Sequence, residues 1–101
     1  MRTIAFDVDG TLINIIHDTP RYEVISMFHA FEKMGYEMYI WSGGGIDYAR
    51  HHADKLGLKA KIVAKGSFVP DIAVDDEEVQ LGKVNLRVSR HLHEGDSGES
   101  S

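Results

Sequence analysis

A chain of 101 residues, 43% of them hydrophobic, is one domain's worth of polypeptide: enough to bury a single core, too little for a large second lobe. The absence of cysteine excludes disulfides and thiol chemistry, and a formal net charge of −5 argues against a general nucleic-acid binder, which presents a broad basic face. No stretch approaches a membrane-spanning length, and the amino terminus enters a short apolar run without the marks of a secretory leader, so a cytoplasmic protein with no membrane partner is expected.

Residues 2–8, RTIAFDV, are short, apolar and bounded by Gly10-Thr11, which predicts a buried strand whose end carries Asp7 and Asp9. A helix follows, with Thr19 as N-cap, Pro20 in the first position, Val24, Met27, Phe28, Phe31 and Met34 at helical spacing, and Gly35 as the stop. YEMYIW, 36–41, reads as a second strand that breaks off in SGGG, with Trp41 expected to be buried and a place lining the space beyond the strand as the alternative. Ile46, Ala49, Ala53 and Leu56 mark one face of a second helix that stops at Gly57. AKIVA, 60–64, and DIAVD, 71–75, read as strands, and VNLRV, 84–88, as a last edge strand. Only residues 65–70 join the third strand to the fourth, so the third is either very short, which is the expectation, or an extended crossing segment that hardly pairs. Residues 1–90 make one domain; the polar, Gly/Ser-rich stretch 91–101 has no core face and is expected to be disordered.

Strands alternating with helices imply parallel pairing, right-handed crossovers and an α/β sandwich, in which ligands gather outside the carboxyl ends of the strands. Asp7 and Asp9, Ser42 with its glycines, and Asp75 with Asp76 all fall at such ends, so one cleft collects them. The charge is uneven as well: Asp71, Asp75, Asp76, Glu77 and Glu78 cluster, while Arg50, Lys55, Lys59, Lys61 and Lys65 face a single acid, Asp54. Taken alone this fits two solvated faces; it also suits a metal and a phosphate sharing a cleft.

Carboxylates gathered at the mouth of a sheet repel one another unless a cation or proton compensates. Mg²⁺ is the simplest compensation, because it takes oxygen ligands and is typically held by one or two carboxylates plus a phosphate. SGGG offers backbone N–H groups before a helix start, a cradle for an anionic oxygen, with the Ser42 hydroxyl as a further donor. Lys65 or Lys61 supplies the fixed positive charge that phosphoryl transfer requires. His51 and His52 are adjacent on a helix and share no face, and His91 and His93 fall in the tail, so neither pair is taken as a metal site. Met27, Met34 and Met38 read as core filler.

In combination, FDVDGTL, YIWSGGG, Lys65 and DIAVDDE resemble, in order and spacing, the four signature motifs of the haloacid dehalogenase-like hydrolases. The resemblance covers residues 3–78. It implies a three-layer sandwich on a short parallel Rossmann-like sheet, and a phosphatase rather than a member of the ATPase branch, because Asp9 occupies the second acidic position. It further implies that Asp7 is the nucleophile forming an aspartyl-phosphate, Asp9 the general acid/base and Lys65 the phosphate lysine. Among the residues serving substrate binding, Thr11 would hold the loop by hydrogen bonds, and Ser42 and the Gly43 amide would bind a phosphoryl oxygen. Mg²⁺ would be held by Asp7, the Asp9 backbone carbonyl and Asp75, with Asp76 either ligating or orienting through water. Gly44 stands where many members carry an Arg.

Many members also insert a cap domain, but seven residues separate Leu12 from Pro20 and 22 separate Ser42 from Lys65, so a capless core is expected. Such open sites take large substrates or borrow a neighbouring subunit as a lid. The implied substrate is a phosphomonoester, either a small molecule or an exposed phosphate on a macromolecule. The alternative is a non-catalytic phosphate-sensing or phospho-accepting module that keeps the acidic pocket.

Overall fold

A computed structural model describes residues 1–89; the tail and its histidines, His91 and His93, lie outside the described residues. The elements run β1 (Thr3–Asp7), α1 (Tyr22–Lys33), β2 (Glu37–Trp41), α2 (Ile46–Leu56), β3 (Lys61–Ile62), β4 (Ile72–Asp75) and β5 (Val84–Arg87). The strands form one sheet in the order β3-β2-β1-β4-β5, and every pairing is parallel. The α/β class, the Rossmann-like sheet and the closing edge strand are as the sequence predicts. β3 is as short as its connection demands: it ends at Ile62, which leaves 63–71 to cross β2 and β1, a distance of about 14 Å at normal strand spacing.

The steps from β1 to β2 and from β2 to β3 run the same way along the sheet, so right-handed crossovers put both helices on one face. That face holds the main core. Ile4, Phe6, Val8, Ile40 and Val74 pack under Val24 and Phe28 of α1 and Ala49 and Ala53 of α2, and the Phe6 and Phe28 rings meet with centroids 5.3 Å apart. The alanines on α2 let that helix approach closely. On the other face Ala5, Trp41 and Ala73 are covered by Tyr39, Val63, Phe68 and Leu81, so the third layer consists largely of the connecting segments after β3 and β4. Phe68 stacks obliquely on Tyr39 and edge-on to Trp41.

Two local expectations are corrected. α1 opens at Tyr22 with Arg21 as the N-cap residue and no side-chain cap, not at Thr19. The Thr19 carbonyl accepts the Asn14 N–H at 2.7 Å and Pro20 bridges Ile13, so both residues close the loop before the helix and are not free to start it. Met34 is 63% exposed and fills no core: it is the C-cap residue of α1, past the last turn that carries the apolar stripe. Met38 is buried and Met27 packs against the core, as expected.

Candidate active site

Register places the site. Asp7 ends the central strand beside Trp41 of β2, and Phe6 pairs with Val74, so Asp75 falls level with Asp7 on the other side. The chain leaves β1 in one direction and reaches β4 from the other, which makes this end of the sheet a topological switch point.

Beyond Asp7 the backbone turns sharply. The Val8 carbonyl accepts N–H groups from Thr11, Leu12 and Ile13, and Gly10 adopts φ 77°. Glycine is required there twice over, since that φ disfavours other residues and a Cβ would sit 2.4 Å from Asp76 Oδ2. Buried Arg21 braces the turn by donating from Nη1 to the Gly10 carbonyl, and Glu23 pairs with its guanidinium at 2.9 Å. The Asn14 carboxamide accepts the N–H groups of Ile16 and His17, an Asx turn that folds 14–18 tightly and brings Ile15 to the rim.

The result is an open cleft of about 330 Å³. Of the residues expected at the site, Asp7, Asp9, Ser42, Gly43, Lys65 and Asp76 line it. Asp75 lies just beneath, 2% exposed. Thr11, grouped with the substrate-binding residues but expected to act by hydrogen bonds that hold the loop, is fully buried, and its hydroxyl donates to Asp7 Oδ2 at 3.3 Å. It sets the angle of the carboxylate and is out of reach of the cleft. The Ser42 Oγ accepts the Gly44 N–H at 3.0 Å, closing the glycine turn before α2.

Of the two candidate lysines, Lys65 is the one that lines the cleft. Its Nζ donates to Asp7 Oδ1 at 3.1 Å and lies 2.8 Å from Asp75 Oδ2, an ion pair without hydrogen-bond alignment. Lys61 pairs with Glu37 at the sheet edge. Asp7, Asp75 and Asp76 bring carboxylate oxygens within 4.8 Å of one another, all three residues buried. The Asp9 side chain stands apart from this trio: its Oδ1 accepts the Tyr48 hydroxyl at 2.6 Å.

The acidic and basic clusters therefore divide. β4 carries Asp71 to the far end of the sheet, where it accepts the Thr3 N–H and pairs with Lys83, while Glu77 and Glu78 are exposed. Arg50, Lys55, Lys59 and Lys61 are exposed, and only Lys65 reaches the cleft.

Burial, reinforced by Asp75, pushes the Asp7 carboxyl up to about 7 despite Lys65. Burial alone would lower the Lys65 ammonium, but contacts with Asp75 and Asp7 outweigh it and raise it. The three carboxylates are packed closely enough that the Asp7 carboxyl stays raised even beside Lys65. Together with their mutual distance and all-oxygen chemistry, this fits a hard divalent cation such as Mg²⁺. Burial and the bond to Asp9 hold the Tyr48 phenol in its protonated form.

Sequence reasoning missed Tyr48, Arg21, Asn14 and Ile15. None has a telling spacing. Tyr48 was recoverable in part, since side chains in the first turn of a helix tilt toward its N-terminus and α2 starts at the cleft.

The comparison with family models agrees with this geometry: residues 4–85 match the haloacid dehalogenase-like hydrolases, and the chain belongs to that family. No curated protein and no solved structure matches the chain. Among the described residues, neither gap in which the family places a cap holds one. A short loop fills the first, and α2 with β3 fill the second. No helix among the described residues is long and apolar enough to cross a membrane.

Proposed function

We propose that this hydrolase is a Mg²⁺-dependent phosphomonoesterase that works through an aspartyl-phosphate on Asp7. The observation that carries the reading is the position of Lys65 Nζ between Asp7 and Asp75, with three carboxylates closed around one point. The Asp7 carboxylate, the Asp9 carbonyl, Asp75 and Asp76 would hold the ion, which when bound supplies positive charge against the phosphoryl oxygens.

Asp7 is held from both sides, by Thr11 on Oδ2 and Lys65 on Oδ1, so one oxygen can be aimed at phosphorus. It attacks in line, the bond from phosphorus to the leaving oxygen breaks, and Asp9 passes its proton to that oxygen. Water then attacks the same phosphorus, Asp9 takes a proton from it, and the phosphorus–Asp7 bond breaks to release phosphate. The Ser42 hydroxyl and the Gly43 backbone border the space for the phosphoryl oxygens. The open cleft suits a phosphorylated small molecule or a phosphate exposed on a macromolecule, in the cytoplasm, with a second subunit as a lid where the substrate is small.

The test is hydrolysis of p-nitrophenyl phosphate with Mg²⁺ and with EDTA, for the native protein and Asp7→Asn. Activity should need the metal and fall at least a thousandfold in the variant; equal rates for both proteins end the covalent proposal. An adduct on Asp7 lasting minutes or more would favour the phospho-accepting module instead.

A further inference from the structure

Resting on that phosphatase reading, we propose that Tyr48 is the positioning residue for Asp9, fixing one carboxylate oxygen so that the other faces the leaving group. Three features of the structure converge on it. The Tyr48 hydroxyl lies 2.6 Å from Asp9 Oδ1, a short O–H···O hydrogen bond. The ring is itself held, edge-on against His52 with centroids 4.6 Å apart, so the hydroxyl is presented from a supported side chain on a helix. Third, the ring leans on Gly44: a Cβ at that position would stand 3.0 Å from Tyr48 Cδ2, so the bare backbone at 44 makes the room that the ring occupies.

A carboxylate that gives and takes a proton must keep its reacting oxygen in line with the bond being broken. Asp9 sits on a tight turn at an open mouth and is only half-buried, without the Thr11 and Lys65 contacts that flank Asp7. Among the hydrogen bonds of the described residues, Tyr48 is the partner of its side chain, and it engages Oδ1. Oδ2 is therefore the oxygen left to carry the proton. Tyr48 touches neither phosphorus nor the leaving group, and acts through Asp9.

This role has a signature that mere structural support lacks. Proton donation matters greatly when the leaving group is a poor one, such as an alkoxide, and little when it is an acidic phenolate. Because kcat/KM reports the steps up to departure of the leaving group, it isolates that requirement. The experiment compares Tyr48→Phe with the native protein on n-butyl phosphate and on 2,4-dinitrophenyl phosphate, both with Mg²⁺.

We expect kcat/KM for the butyl ester to fall roughly tenfold, a fraction of the 10²–10⁴ that full acid/base catalysis supplies. For the dinitrophenyl ester we expect a change of less than twofold. Equal losses on both esters, whether from a displaced site or from misfolding, or no loss on either, overturn the positioning role and leave the phosphatase reading standing. A native protein that hydrolyses neither ester overturns that reading, and this inference with it.

Discussion

The two faces of the sheet are built differently, and the difference separates stability from chemistry. Under the helices lies the large cluster around Phe6, Phe28 and Ile40, where the fully buried side chains concentrate. On the opposite face Ala5 and Ala73 offer little side chain, and Trp41 is covered by Phe68 and Leu81 from connecting segments. Those segments carry Lys65 on one side and follow Asp75 and Asp76 on the other. A short chain can thus spend helices on one face alone, letting the covering of the second face double as the walls of the site.

The sharpest way to break this comparison is a pair of truncations. Phe28→Ala removes a fully buried ring and should cost about 3–5 kcal/mol, a large part of what a small domain possesses. Phe68→Ala, from a half-buried position, should cost about 1–2 kcal/mol while reducing turnover, because Phe68 anchors the segment that carries Lys65. Denaturant unfolding of both variants decides: equal costs would mean that the loop face carries as much of the fold as the helix face.

Next in size is the effect of metal at the mouth. The Asp7 carboxyl is raised by burial and by Asp75 to about 7, so in the metal-free protein the folded state holds a proton that the unfolded state releases near pH 4. Metal-free stability should therefore fall as pH rises from about 4 to about 7. Mg²⁺ offsets that loss, stabilising by about 2.7 kcal/mol at a hundredfold excess over its dissociation constant. Thermal unfolding with and without Mg²⁺ should show the larger gain at pH 8 than at pH 5.5. A gain that is the same at both pH values, or absent, would argue against a cation among Asp7, Asp75 and Asp76.

How much of this was legible beforehand depends on which interactions are local. The strands, the helix stops at Gly35 and Gly57, and the convergence of Asp7, Ser42, Asp75 and Asp76 follow from periodicity, turn residues and parallel topology, all carried by consecutive sequence; the choice between Lys65 and Lys61 stayed open. The helix start was not legible, because Thr19 and Pro20 are recruited by Asn14 and Ile13 across a loop. Nor was the single-sided placement of the helices drawn out, although strand order dictates it once known. Thr11 reads as a residue that holds the loop, and the turn at Gly10 does place it beneath Asp7 with its hydroxyl on Oδ2, but which group it holds was not legible. The bond from Tyr48 to Asp9 was not legible, because the two are distant in sequence and the contact depends on what Gly44 lacks; only the position of Tyr48 in the first turn of α2 hinted at it.

The smallest effect sharpens the comparison from the helix side. His52 on α2 is buried against Tyr48, its Nδ1 without a hydrogen-bond partner, and burial, with His51 beside it, lowers its affinity for a proton. His51, Lys55, Asp9 and Asp18 are the charged or titratable groups that act on it, the first two disfavouring protonation and the acids opposing them. Its folded value lies below its unfolded one, so the unfolded chain binds the proton more readily. Stability from this group is complete above about pH 6.5 and is lost as pH falls through that value, the reverse of the Asp7 trend. His52→Leu should flatten the acid limb of stability measured between pH 7 and pH 5 and leave the rise from Asp7 in place, so the two groups titrate in opposite directions. An unchanged acid limb in that variant would place the titrating group elsewhere.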